Sequence, residues 1–217
     1  MKAIVALGGE HVARERLHEA LWPDAEGDAA QDAFEITLHR LRKLLKCDDA
    51  VLLAHSQVSL NPKVVWVDAL AFDRLVSDAD RIDLADFSGT PGAKPERTLD
   101  KALRLYVGHF LAQENDEPWM LACRERLRSR FKRLALRAAT AYEDRRAIDH
   151  LERCIELEPA VEALSHKLMS LLSAAGLKAE AIAVYRRCER VLTSTLGVSP
   201  SPEMKAMHAR LSCESRL

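Results

Sequence analysis

The sequence predicts a mainly α chain in two parts: three helices that end in a β-hairpin, then an array of paired helices. Three observations carry that prediction. Taken as a helix at about 100° per residue, Ala30 to Lys46 gathers Phe34, Leu38, Leu41 and Leu45 into a stripe about 60° wide. The run VLLAHSQVSL, Val51 to Leu60, changes to the two-residue alternation of a strand pair. Further on, Ala147, Ile148, Arg153 and Cys154 recur as Ala181, Ile182, Arg187 and Cys188, each offset by 34 residues. That offset is the period of tetratricopeptide helix pairs.

At 217 residues the chain is long enough to bury roughly 70% of its unfolded surface without a covalent staple. With 48% hydrophobic and 30% charged residues, its composition is that of an ordinary globular protein. The formal net charge of −1 gives no global attraction to nucleic acid or to an anionic membrane, so any DNA contact must be local. The five cysteines are scattered and include no C-x-x-C pair, as expected of reduced thiols. The first apolar run stops at Gly8 and Gly9, too short for a signal peptide or a membrane span, which places the protein in the cytoplasm.

In chain order, Lys2 to Leu7 reads as the last turns of a helix stopped by Gly8 and Gly9. Ala13 to Leu21 is a second helix, with Leu17, Ala20 and Leu21 on one side and Trp22-Pro23 closing it. An acidic loop, Asp24 to Asp28, leads into the helix at Ala30 to Lys46. Opposite its apolar stripe stand Asp32, Ile36, His39, Arg40 and Lys43, flanked by Glu35, Arg42 and Lys46. Three helices joined by short connections fit a helix-turn-helix core. Ser56-Gln57 supplies the turn of the hairpin, and VVWVD beyond Asn61-Pro62-Lys63 is a further β-type run. A hairpin directly after a recognition-type helix is the wing of a winged helix, whose turn can lie along the sugar-phosphate backbone.

From Ala69 onward helical patterns dominate: Ala69 to Val76, Glu96 to Leu111 and Pro118 to Tyr142, with a loop or linker around FSGTPGAKPE. The two repeat copies each continue into a second helix. Pro159 precedes Ala160 to Ala174, and Gly197 with a Ser201-Pro202 cap precedes Glu203 to Leu211. Ala147 and Ala181 are small enough for close helix approach, Cys154 and Cys188 are expected in the core, and Trp66, Trp119 and Phe131 are expected as packing anchors.

HRLRKLL at His39 to Leu45, Leu-Trp-Pro-Asp at Leu21 to Asp24, and Val-Trp-Val-Asp-x3-Phe at Val65 to Phe72 resemble the OmpR/PhoB-type winged helix of SARP/AfsR bacterial transcriptional regulators. ALRLYVGHFL at Ala102 to Leu111, Trp119 with Arg124 to Phe131, ELEPAVEAL at Glu156 to Leu164, Leu168-Met169, and AIAVYRRCERVLTSTLGVSPSPE ending at Glu203 are similar to the bacterial transcriptional activator domain of the same group. The resemblance implies a winged helix over residues 1–68 and a helical, tetratricopeptide-like activator domain over 69–217. In that family an antiparallel sheet precedes the first helix. This chain opens inside what corresponds to helix one, so that sheet is expected to be missing from it.

The resemblance also implies that Asp32, Glu35, Ile36, Thr37, Arg40 and Arg42 enter the major groove of double-stranded DNA, and that the acidic loop with Asp24, Glu26 and Asp28 touches RNA polymerase. It further implies a homodimer held by the helical domain. Chemically, Arg40 can donate bidentately to guanine O6 and N7, Glu35 can accept from cytosine N4, and Arg42 and Lys43 suit phosphates. His39 and Lys46 extend the outward face, and Ser56 and Gln57 supply the wing tip. Residues 1–68 carry eight basic against eleven acidic residues, a net of −3. A protein-interaction module without autonomous DNA binding is therefore the alternative. No G-x-S-x-G, phosphate loop or H-E-x-x-H occurs, and His150 with Cys154 offers only two ligands, so neither an enzyme, a cofactor nor a metal site is expected.

Overall fold

In a computed structural model, which describes residues 1–25, 27–81, 94–141 and 145–214, the chain divides into two units. The first comprises Met1–Ser77 with Gly108–Ser129; the second comprises Asp78–Val107 with Arg130–Leu217.

The first unit opens with helix α1, Lys2–Ala6. It ends where the sequence demands, because Gly8 and Gly9 take φ of 118° and 80°. Their amides donate to Val5 O and Ile4 O at 3.0 and 2.8 Å, closing the last helical carbonyls. The chain then forms β1, Val12–Ala13, and passes directly into α2, Arg14–Leu21. Helix α3 covers Gly27–Leu45, starting about one turn before the expected Ala30. Asp28 therefore stands in the first turn of α3 rather than in the preceding loop, where its carboxylate complements the positive end of the helix dipole. Lys46, at φ 52°, ends the helix in a left-handed conformation.

A one-turn 3₁₀ helix, Asp48–Ala50, leads into β2, Val51–Ala54, and β3, Gln57–Leu60. The turn is His55–Ser56, with φ of 49° and 60°, so it lies one residue earlier than Ser56-Gln57. Gln57 belongs to β3 and pairs with Ala54. The physical reason is register: Val51, Val58 and Leu60 must all face the core, and a one-residue slip would turn them outward. The sheet has three antiparallel strands in the order β1-β3-β2, with Val12 opposite Val58 and Ala13 opposite Gln57. VVWVD is not a strand. After Leu60 the backbone folds back, with Asn61 N donating to Ala50 O and both Val64 N and Val65 N to Asn61 O, and β3 already has neighbours on both sides.

Ile4 and Val5 of α1, Val12, Leu17, Phe34, Leu38, Val51, Val58 and Leu60 form one buried core, with Leu41, Leu45, Leu70 and Trp119 packed against it. Each such side chain contributes about 1.5–3 kcal/mol when fully buried. Trp66 does not anchor this core: it is 68% exposed, because its neighbours Val65 and Val67 pack against the core and leave the side chain between them facing out. Helix α4, Asp68–Asp80, buries Phe72 and Val76. In the segment 108–129, Arg124 gathers Phe110 O, Leu111 O and the Asp116 carboxylate at 2.7–2.9 Å.

In the second unit, α5 spans Lys94–Leu105 and α6 Pro118–Ala141, the latter entering this unit from Arg130. Helix α5 stops six residues short of Leu111. Tyr106 stacks on Phe131 at 4.2 Å and the Arg153 guanidinium donates to Arg104 O and Tyr106 O, which holds the chain just beyond the helix end. Helices α7 (Arg145–Leu157) and α8 (Glu162–Ala174) form one pair, α9 (Lys178–Val191) and α10 (Pro202–Glu214) the next. The small repeat positions behave alike: Ala147 and Ala181 are fully buried and Cys154 and Cys188 are buried, whereas Arg153 is half-buried and Arg187 exposed. Ser201 caps α10 by accepting from Met204 N at 3.3 Å, and its own amide donates to the Glu162 carboxylate of α8. The loop expected at FSGTPGAKPE lies largely outside the described residues. No described helix is long and apolar enough to cross a membrane.

Candidate nucleic-acid interface

The roll of α3 about its axis decides what it can present. Phe34 fixes it, being buried with the His18 ring tilted against it at 5.4 Å and the Arg14 guanidinium 5.2 Å from its centroid. Leu38 continues the buried stripe, and Leu41 and Leu45 pack more shallowly on the same core. With that face committed, Asp32, Glu35, Ile36, Thr37, His39, Arg40 and Lys43 are exposed along the outward side, and Lys46 is exposed beyond its end. Arg40, Lys43 and Lys46 enter no ion pair with the described residues, so their charge is available to an external anion.

The residues singled out from sequence do not all share that freedom. Glu35 accepts from the Gln31 amide, whose oxygen in turn accepts from Arg14 at 3.1 Å, which tethers the carboxylate to the flank of α3. Arg42 is half-buried and donates through Nη2 to Val51 O at 2.7 Å. Ser56 is exposed at the hairpin tip, whereas Gln57 faces solvent on β3, with Oε1 3.2 Å from His11 Nδ1. Asp24 and Asp28 are exposed, and Glu26 lies outside the described residues. Residue-type reasoning passed over two neighbours. His55 shares the turn with Ser56, and counting the inward positions Val51, Val58 and Leu60 back from the core would have located it. Leu44 is 79% exposed on α3, an apolar residue that the amphipathic stripe leaves out.

Elsewhere Cys123, Cys154 and Cys188 are buried, whereas Cys47 is half-buried and Cys213 exposed. Burial pushes the Cys154 thiol up to about 12 and raises Cys123 and Cys188 as well, so these sulfurs are protonated core atoms. Among the described residues no group of three His, Cys, Asp or Glu side chains is arranged to hold a metal ion.

Helices α1 to α3 with a three-stranded sheet, followed by paired helices, define a winged helix-turn-helix regulator architecture. The bacterial transcriptional activator domain family matches residues 67–212, and the chain belongs to that family of transcription regulators. It is 26% identical to the regulatory protein AfsR of Streptomyces griseus and 29% identical to AfsR of Streptomyces coelicolor, in each case over 97% of this chain. The chain spans about a fifth of the length of those relatives, 22% and 21% respectively. Among solved structures it is similar to Mycobacterium tuberculosis EmbR in complex with a low-affinity phosphopeptide, with a TM-score of 0.66 and 21% identity, over 98% of this chain and 58% of that one. The shared architecture is mainly helical with one small antiparallel sheet.

Proposed function

We propose that the chain regulates transcription by reading the major groove of double-stranded DNA with α3, while the hairpin turn at His55–Ser56 lies along the adjacent backbone. The observation that carries this reading is the division of α3: Phe34 and Leu38 are locked into the core, and Arg40 and Lys43 project outward with no intramolecular ion pair among the described residues. Arg40 is assigned to a guanine edge, Lys43 and Lys46 to phosphates, and Asp32, Glu35, Ile36, Thr37 and His39 to the groove surface between them. Functionally, residues 1–68 act as the reader and 69–217 as the activator domain, whose helix pairs serve a second copy of the chain or another partner. The exposed Asp24 and Asp28 are suited to a basic surface of RNA polymerase. A cytoplasmic site of action goes with this reading.

The test is a mobility-shift assay on genomic fragments at low and high salt. Wild-type protein should shift a subset of fragments, and the shift should weaken steeply with salt. Arg40→Ala should lose roughly 10- to 100-fold in affinity for the preferred fragment, the range of one bidentate base contact. Retained affinity with unchanged base preference would refute the role of Arg40, and no shift by the wild type at low salt would refute DNA reading by this chain. The second reading, an interaction module without DNA activity, draws on the acidic excess of residues 1–68. It predicts capture of protein partners with no salt-dependent DNA retention.

A further inference from the structure

Arg42, expected from the sequence to touch DNA, is instead engaged within the fold. In the β2–β3 hairpin the two-residue turn makes Ala54 and Gln57 a hydrogen-bonded pair. Alternation then makes Leu52 and Ser59 hydrogen-bonded, while Leu53 with Val58 and Val51 with Leu60 are not. The amide of Leu60 agrees: it points away from β2 and donates to Gly9 O at 2.7 Å. By the same rule the carbonyl of Val51 points off the free edge of β2, where no strand can satisfy it. Arg42 meets it there with a charge-assisted bond of 2.7 Å. The guanidinium is half-buried, and its Nε is enclosed with no partner among the described residues. To reach a phosphate the side chain would have to abandon the Val51 carbonyl at the edge of the sheet.

We infer that Arg42 is a positioning residue: by tying the last turn of α3 to the first residue of β2, it sets the place of the hairpin turn relative to the DNA-facing side of the helix. This inference rests on α3 being the reading helix, but its structural half stands apart from DNA. The bond links two elements separated by the Lys46 to Ala50 connection, so it fixes how far the wing root can swing about that connection. Loss of the bond leaves Arg40 and Lys43 where they are and lets the turn at His55–Ser56 wander.

The experiment uses the full chain with Arg42→Met, which keeps the apolar stem and removes the donors, and Lys43→Ala as the comparison. Binding to the fragment preferred by the wild type is measured by fluorescence anisotropy over a series of salt concentrations. Arg42→Met should weaken binding about tenfold, the scale of one hydrogen bond to a charged group, with the salt slope unchanged. Lys43→Ala should lower the slope by about 0.9, the signature of one lost phosphate contact. Hydroxyl-radical footprinting separates positioning from general destabilisation: Arg42→Met should lose the wing-side protection and keep the protection under α3. Amide exchange provides the arm that needs no DNA. The paired amides of Leu52, Ala54, Gln57 and Ser59 should exchange about tenfold faster in Arg42→Met, while α9 stays as in the wild type. A slope lowered by about 0.9 with unchanged hairpin exchange would overturn the inference. If the wild type binds no duplex, the DNA-reading proposal fails, and hairpin exchange alone decides whether Arg42 is the brace.

Discussion

Replacing Gly9 with alanine puts a methyl group where Leu70 already stands. A Cβ at this position would lie 2.4 Å from Leu70 Cδ1 and 2.9 Å from Cδ2, well inside van der Waals contact. The backbone at φ 80° adds a second cost, because an L side chain in that region meets its own carbonyl. The conformational term is about 1–2 kcal/mol, partly offset by the stiffer unfolded chain. The packing term is about 1–3 kcal/mol, since Leu70 must leave a position against the core. Together they predict a loss of about 2–4 kcal/mol, a large share of the 5–15 kcal/mol typical of a domain. Urea unfolding followed by circular dichroism measures it, as a lower midpoint with an unchanged m-value. Because the clash lies with one side chain, Leu70→Ala should relieve it, and the double mutant should recover about 1–2 kcal/mol relative to the sum of the single changes. Gly9→Ala within 0.5 kcal/mol of wild type, or a cost indifferent to Leu70, would refute this reasoning. The stake extends to the wing, because Gly9 O holds the Leu60 amide of β3.

Cys154 titrates near 9 when unfolded and near 12 when buried, so the folded state favours the neutral thiol and loses stability as pH rises from 9 towards 12. Relative to Cys154→Ala, wild-type stability should fall by about 1.5 kcal/mol between pH 9 and 10.5, and equal pH profiles would contradict the burial of this thiol. Arg124→Ala strips three hydrogen bonds from the segment around Phe110, Leu111 and Asp116, and should cost about 2–4 kcal/mol in chemical denaturation. Ser201→Ala removes the α10 cap and should cost about 1 kcal/mol, with faster amide exchange at Met204 as the local check.

The sequence by itself determined what local chemistry controls. Gly8 and Gly9 stop α1 because only glycine tolerates both conformations freely; the spacing of Phe34 and Leu38 selects the buried side of α3; and the 34-residue repeat places Ala147, Ala181, Cys154 and Cys188 at matching buried positions. Tertiary structure decided whatever depends on partners distant in the chain. Strand β1 is two residues long and has no period to detect; it exists because β3 offers it an edge. The hairpin turn fell at His55–Ser56 because the core needs Val58 and Leu60 inside, while Trp66, apolar enough to suggest a core residue, faces solvent because Val65 and Val67 on either side of it take the core. On α3 the outward residues were legible from the helical period, but Arg42 on the flank, like Arg40 opposite the stripe, was expected to touch DNA. Periodicity reports direction from a helix axis, whereas the Val51 carbonyl that claims Arg42 is set by strand register, and that only the folded sheet supplies.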